Sequence, residues 1–107
     1  MKKKLTYTNK FNKNMIPCIY KGSCCWSFIF VDTKNNTFFK SESATTIAWL
    51  RHMGISQSEF TDKCWNTYDM LQDANIKRAL VSFFVNDDAK IYSYAYNIDL
   101  EEMGKFM

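Results

Sequence analysis

The sequence predicts an α+β fold in which a small, mostly antiparallel sheet carries a two-helix corner on one face and a short helix closes the chain. Three observations lead there. Residues 16–39 are rich in β-branched and aromatic side chains, broken by turn-like clusters. Residues 43–73 carry helix caps and an apolar stripe at helical spacing, and residues 79–98 return to strand-like composition around a polar turn. At 107 residues the chain fits one domain, 1–107, that buries about two-thirds of its unfolded surface. An apolar content of 47%, with nine Phe, six Tyr and three Trp, is enough burial to offset chain entropy.

Taken in order, Met1 to Lys4 read as a frayed, solvated end, and Leu5 to Thr8 as a further short strand. Ile16–Tyr20 and Trp26–Val31 are strands separated by Lys21-Gly22-Ser23, and Asp32 to Asn36 form the turn into a third strand at Thr37-Phe38-Phe39. Pro17 lacks an N–H, which assigns the first of these strands to a sheet edge or starts it one residue later. Ser43 is the expected cap of a helix over Ala44–Met53, and Gly54 suits the left-handed position that ends one. Ser56-Gln57-Ser58-Glu59 is a capping box, after which Phe60, Cys64, Tyr68 and Leu71 form a single stripe over about four turns. Ala79–Val85 and Lys90–Ile98 bracket Asn86 to Ala89 as a hairpin, with Tyr92, Tyr94 and Tyr96 on one face of its second strand. Asp99 and Glu102 are placed to cap a final short helix. The expected core is Phe28, Phe30, Ile47, Leu50, Phe60, Cys64, Tyr68, Leu71, Val81, Phe83 and Val85. That assignment leaves aromatic side chains on the outer sheet face, a pattern that points to a partner.

Charge is divided along the chain. Residues 1–40 contain eight of the twelve lysines against Asp32 alone, or +7, whereas residues 41–107 come to −4. Abundant Lys and Asn with little Arg or Gly reflects AT-rich coding, but such bias does not explain an acidic second half written by the same genome. A charge-polar domain orients in the field of a charged partner and gains association rate from it. No apolar core follows the N-terminal lysines as a signal peptide requires, and no apolar run has the length of a membrane span. The expected location is therefore cytoplasmic, with the four cysteines reduced.

Motifs for chemistry are few. The three glycines, at 22, 54 and 104, form no phosphate loop. Cys18, Cys24, Cys25, Cys64 and His52 contain no CxxC pair, so neither a metal site nor a cofactor is expected. With a single histidine, a nucleophile scheme reduces to Cys25 or Cys64 with His52, the least favoured reading. Thr46 to Trp65 resembles a helix-turn-helix through Met53-Gly54-Ile55-Ser56. Leu50 and Lys63 depart from that pattern, and the would-be recognition helix carries Glu59, Asp62, Asp69 and Asp73, the wrong sign for phosphates.

These features lead to a small non-enzymatic interaction protein that binds and blocks or modulates a larger protein or ribonucleoprotein machine. Its size, composition and lack of an active-site motif resemble the inhibitors that phage or mobile elements direct at host defence, whether anti-CRISPR-like or anti-restriction-like. Lys10, Lys13, Lys21, Lys34, Lys40 and Tyr20 are the expected docking residues, with Tyr92, Tyr94 and Tyr96 as aromatic anchors. The alternative is a nucleic-acid-binding regulator that uses the 44–65 corner or the basic N-terminal region.

Overall fold

In the computed structural model, residues 2–83, 97–101 and 103–107 are described. The tyrosine stripe at 92, 94 and 96, the 86–89 turn, Val85 and Glu102 lie outside them. The elements are β1 (Lys3–Lys4), β2 (Thr6–Tyr7), β3 (Ile16–Lys21), β4 (Trp26–Asp32), β5 (Thr37–Lys40), α1 (Ser43–Met53), α2 (Gln57–Asp73), β6 (Ala79–Ser82), β7 (Ile98–Asp99) and a 3-10 turn at Met103–Phe106. A five-stranded sheet runs in the order β2-β5-β4-β3-β6, and β1 pairs with β7 in a separate two-stranded ladder. The α+β class is as expected. The meander β3-β4-β5 and its partner β6 are antiparallel, while β2 lies parallel to β5.

Alternation along the strands sorts the side chains into two layers. Ile19, Phe28 and Phe30 face the helices and bury with Leu50, Ile55, Phe60, Cys64, Met15 and Phe83. Rings meet here edge to face, Phe28 against Phe60 at 5.0 Å and against Phe30 at 5.2 Å between centroids. This layer is where the helix pair was expected. Cys18, Tyr20, Ile29, Val31, Phe38 and Leu80 point to the opposite face and pack with Leu5, Ile98 and Met103. The expected open aromatic face is therefore covered: the segments at either end of the chain fold across it, and Tyr20 and Phe38 are buried.

Local signals account for the helix ends. Gly54 takes φ 69°, a left-handed conformation that suits glycine, and its N–H donates to the end of α1. The Ser56 side chain accepts from the Glu59 N–H at 3.2 Å, the serine half of the capping box. At α1 the expectation shifts by one residue: Glu42 is the N-cap, without a side-chain cap bond, and Ser43 is the first helical residue. Ser41 instead shares a hydrogen bond with the Thr46 hydroxyl, which takes up the polar side chains at this end.

Two further expectations are corrected. Lys3 and Lys4 are not frayed, because the Lys3 N–H donates to Asn97 O at 2.7 Å and both residues pair with β7. Pro17 sits within β3, which has neighbours on both sides. In an antiparallel ladder the N–H and C=O of one residue point to the same neighbour. The Pro17 carbonyl accepts from Phe83 N on the β6 side, so the missing N–H falls beyond the last β3–β6 ladder pair, Cys18 with Ser82.

Candidate interaction surface

The exposed positions of greatest chemical interest gather around α1. After β2 the chain turns onto the helix-bearing side of the sheet and sets Phe11 on Phe30 at 4.9 Å and on Phe39 at 6.1 Å. Phe11 nevertheless remains 49% exposed. Asn12 fixes the end of this segment, since its side-chain amide donates to Asp32 Oδ2 at 3.1 Å. Between Phe11 and α1 runs a groove of about 560 Å³ whose floor is Phe30 and Trp49 and whose helical wall is Ala44, Thr45, Ala48 and His52. A second cleft, about 430 Å³, opens on the other flank of α1, where Lys40, Ser41, Thr46 and Gln57 rim a floor of Phe28 and Phe60.

Charge follows the helices. Lys10, Lys13, Lys40 and Arg51 are exposed on and beside α1, with Glu42 at its N-cap. On α2 the exposed charges are Glu59, Asp62, Asp69 and Asp73, interrupted by Trp65, which is 48% exposed and leans edge-on against Trp26 and Tyr68. Among these positions the cations stand on and beside α1 and the carboxylates on α2, although both helices belong to the acidic half of the sequence.

The lysines expected to dock a partner separate into groups. Lys10, Lys13, Lys34 and Lys40 are exposed, although Lys34 in the β4–β5 turn and Lys40 lie at opposite ends of β5. Lys21 and Tyr20 do not belong to the surface. Lys21 is fully buried, its Nζ donating to Gly22 O and Lys77 O at 3.1 Å each, 5.0 Å from the Tyr68 ring centroid. Its position follows from alternation, since residue 21 shares the helix-facing side of β3 with Ile19. Tyr20 is 2% exposed, and burial raises its hydroxyl above the ordinary value, opposed by the charge of Arg78.

Asp32 is the polar anchor of this end of the sheet. It accepts from the Asn35 side chain at 2.8 Å, the Lys34 and Asn35 N–H groups, and Asn12. Those bonds, the Asn35 side chain first, hold its carboxyl below the ordinary value. A depressed folded-state value means the stabilisation is complete above the unfolded carboxyl range of about 4 and is lost as pH falls through the folded value. The stability gap between the native chain and Asp32→Asn is therefore expected to narrow on acidification, measured by urea unfolding across the acid range. A gap independent of pH would contradict the assignment.

The cysteines divide in the same physical way. Cys24 and Cys25 are exposed in the β3–β4 turn, while Cys18 and Cys64 are buried, and desolvation raises both thiols, Cys64 to about 12. Cys64 is thus held as an unreactive thiol, and the groove residues around His52 include no cysteine. Among the described residues no cluster of three or more His, Cys, Asp or Glu side chains is placed to hold a metal ion. Two thiols are expected to react quickly with an aromatic disulfide reagent in the native protein and four after denaturation; fast native reaction at Cys64 would refute its burial.

Among the described residues no helix is long and apolar enough to cross a membrane. No family model, curated protein or solved structure matches the chain. The surface around α1 is therefore read from its own chemistry. Sequence reasoning did not single out Trp49 or the Ala44–Ala48 wall, and Phe11 stands out there only as an aromatic interleaved with the N-terminal lysines. The spacing of 44, 45, 48, 49 and 52 was the available signal, because it places these residues on one face of a helix.

Proposed function

We propose that this protein is a non-enzymatic docking protein of the cytoplasm, which attaches through the basic flank of α1 to an acidic surface of a larger protein or ribonucleoprotein machine and obstructs it. The observation that carries the reading is the pairing of Lys10 and Lys13 with the half-exposed Phe11 and the partly buried Trp49 on one side of α1, with Lys40 exposed at the cleft on its other side. Aromatic anchors supply contact area at low entropic cost, and surrounding cations set orientation and association rate. The setting that best accommodates such a protein is host–virus conflict, where small inhibitors sterically block defence machines. Nucleic-acid regulation through the helical corner is less well supported, since α2 offers Glu59, Asp62, Asp69 and Asp73 to solvent.

The test is affinity capture from cells of the native host, comparing the natural chain with a Lys10→Glu, Lys13→Glu, Lys40→Glu variant. One stoichiometric partner is expected, with capture reduced at least about tenfold by the triple reversal. All three positions are exposed, so the variant is expected to keep its fold, which an unchanged circular dichroism spectrum checks. Capture that is indifferent to the reversal would overturn the basic-flank mechanism, and a nucleic acid recovered without protein would favour the regulator.

A further inference from the structure

Resting on that docking function, we infer that the groove between Phe11 and α1 receives one amphipathic helix of the partner, apolar along the buried stripe and acidic on its flanks. Four features of the groove select this occupant. Ala44 and Ala48, one turn apart and both exposed, lower the α1 wall so that a second helix can approach closely. The wall from residue 44 to residue 52 is about 12 Å long, the reach of about two turns of a partner helix. Its floor is the pair Phe30 and Trp49, locked edge-on at 6.3 Å and continuous with the core through Phe28 and Phe83. The anchors of a partner would therefore meet a rigid aromatic surface, as binding hot spots require.

Charge complementarity decides the flanks. Lys10 and Lys13 stand on the same segment as Phe11, and Arg51 with His52 ends the helical wall, while Glu42 is the acidic group at its other end. A helix with acidic flanks is attracted along this groove and a basic one is repelled. The floor is two aromatic rings whose one polar group is the Trp49 indole N–H, which suits apolar anchors better than base edges or phosphates.

The experiment uses the full chain and two synthetic helical peptides of about four turns. Both carry Leu and Phe at i, i+3, i+4 and i+7, one with Glu at every other position and one with Lys. Fluorescence anisotropy at low salt is expected to show the Glu peptide binding at least about tenfold more tightly than the Lys peptide, with the preference shrinking at high salt. Ala48→Glu, at an exposed helical position, is expected to abolish binding of the Glu peptide with the circular dichroism spectrum unchanged, while Ala48→Gln retains more of it. Equal binding of both peptides, or binding unaffected by Ala48→Glu, would overturn the inference. So would a uridine oligonucleotide that displaces the Glu peptide, which would make the groove a nucleic-acid site. Concentration-dependent sedimentation of the chain alone, abolished by both Ala48→Glu and Trp65→Ala, would make the occupant the acidic α2 of a second copy. Host capture lost on lysine reversal but kept by Ala48→Glu would sink the groove and leave the docking function intact; a groove that binds the Glu peptide without any host capture would do the opposite.

Discussion

Phe28→Ala is expected to remove about 3–5 kcal/mol of stability, the cost of truncating a buried aromatic side chain and leaving a cavity. Phe28 is 6% exposed and stands at the crossing of the helical layer, with ring centroids at 5.0 Å from Phe60, 5.2 Å from Phe30, 5.3 Å from Trp49 and 5.7 Å from Phe83. Those partners come from α1, α2, β4 and the residue following β6, so no single element can relax into the void. Domains of this size have about 5–15 kcal/mol of total stability, and the variant is expected to be largely unfolded at physiological temperature or to melt far below the natural chain. Phe28→Leu keeps most of the volume and is expected to cost much less. Chemical denaturation of the three proteins checks this ordering, and an alanine variant within 1 kcal/mol of the natural chain would show that the layer is not close-packed there.

Lys21→Ala should be the next most damaging change. The ammonium of Lys21 joins the β3–β4 turn, through Gly22 O, to the segment between α2 and β6, through Lys77 O, and lies over the ring of Tyr68. Removing it leaves the buried Gly22 carbonyl without this donor, at about 1–3 kcal/mol for a buried polar group left unpaired, frees the part-buried Lys77 carbonyl, and empties the space filled by the stem. Lys21→Met separates the two effects, because it restores the stem and not the donor. Methionine is expected to recover the packing part alone. If the methionine variant matched or exceeded the natural chain, the buried cation would be a burden that the fold tolerates, as some buried charges are.

How far the sequence foretold this architecture depended on whether a signal was local. The Ser56–Glu59 cap, Gly54 and the 60-64-68-71 stripe each act within a few residues; the first two appear where they were expected, and of the stripe Phe60, Cys64 and Leu71 are buried while Tyr68 is half-buried. The three-stranded meander was equally legible from its turns, including Asn36 at φ 53° in the β4–β5 connection. Lys21 was misread because a charged residue beside a glycine resembles a turn, whereas its strand position directs it toward α2. The two-residue strands β1 and β7 show no periodicity at all, so the closing of the second face was invisible. The groove is a tertiary object: Phe11 and Ala48 come together only because Phe11 packs on Phe30 of β4 and α1 packs on the same layer.

The ladder between Lys3–Lys4 and Ile98–Asp99 has a consequence for synthesis. Its two strands are separated by almost the whole described chain, so Lys3 and Lys4 must wait for Ile98 and Asp99. Until Ile98 and Met103 leave the ribosome, Tyr20, Ile29, Val31 and Phe38 lack part of their cover on one side. The helical layer, built from shorter-range contacts, can assemble earlier. Loop closure over this distance makes the final docking late and slow, and the half-finished sheet is the species most exposed to aggregation or to a chaperone.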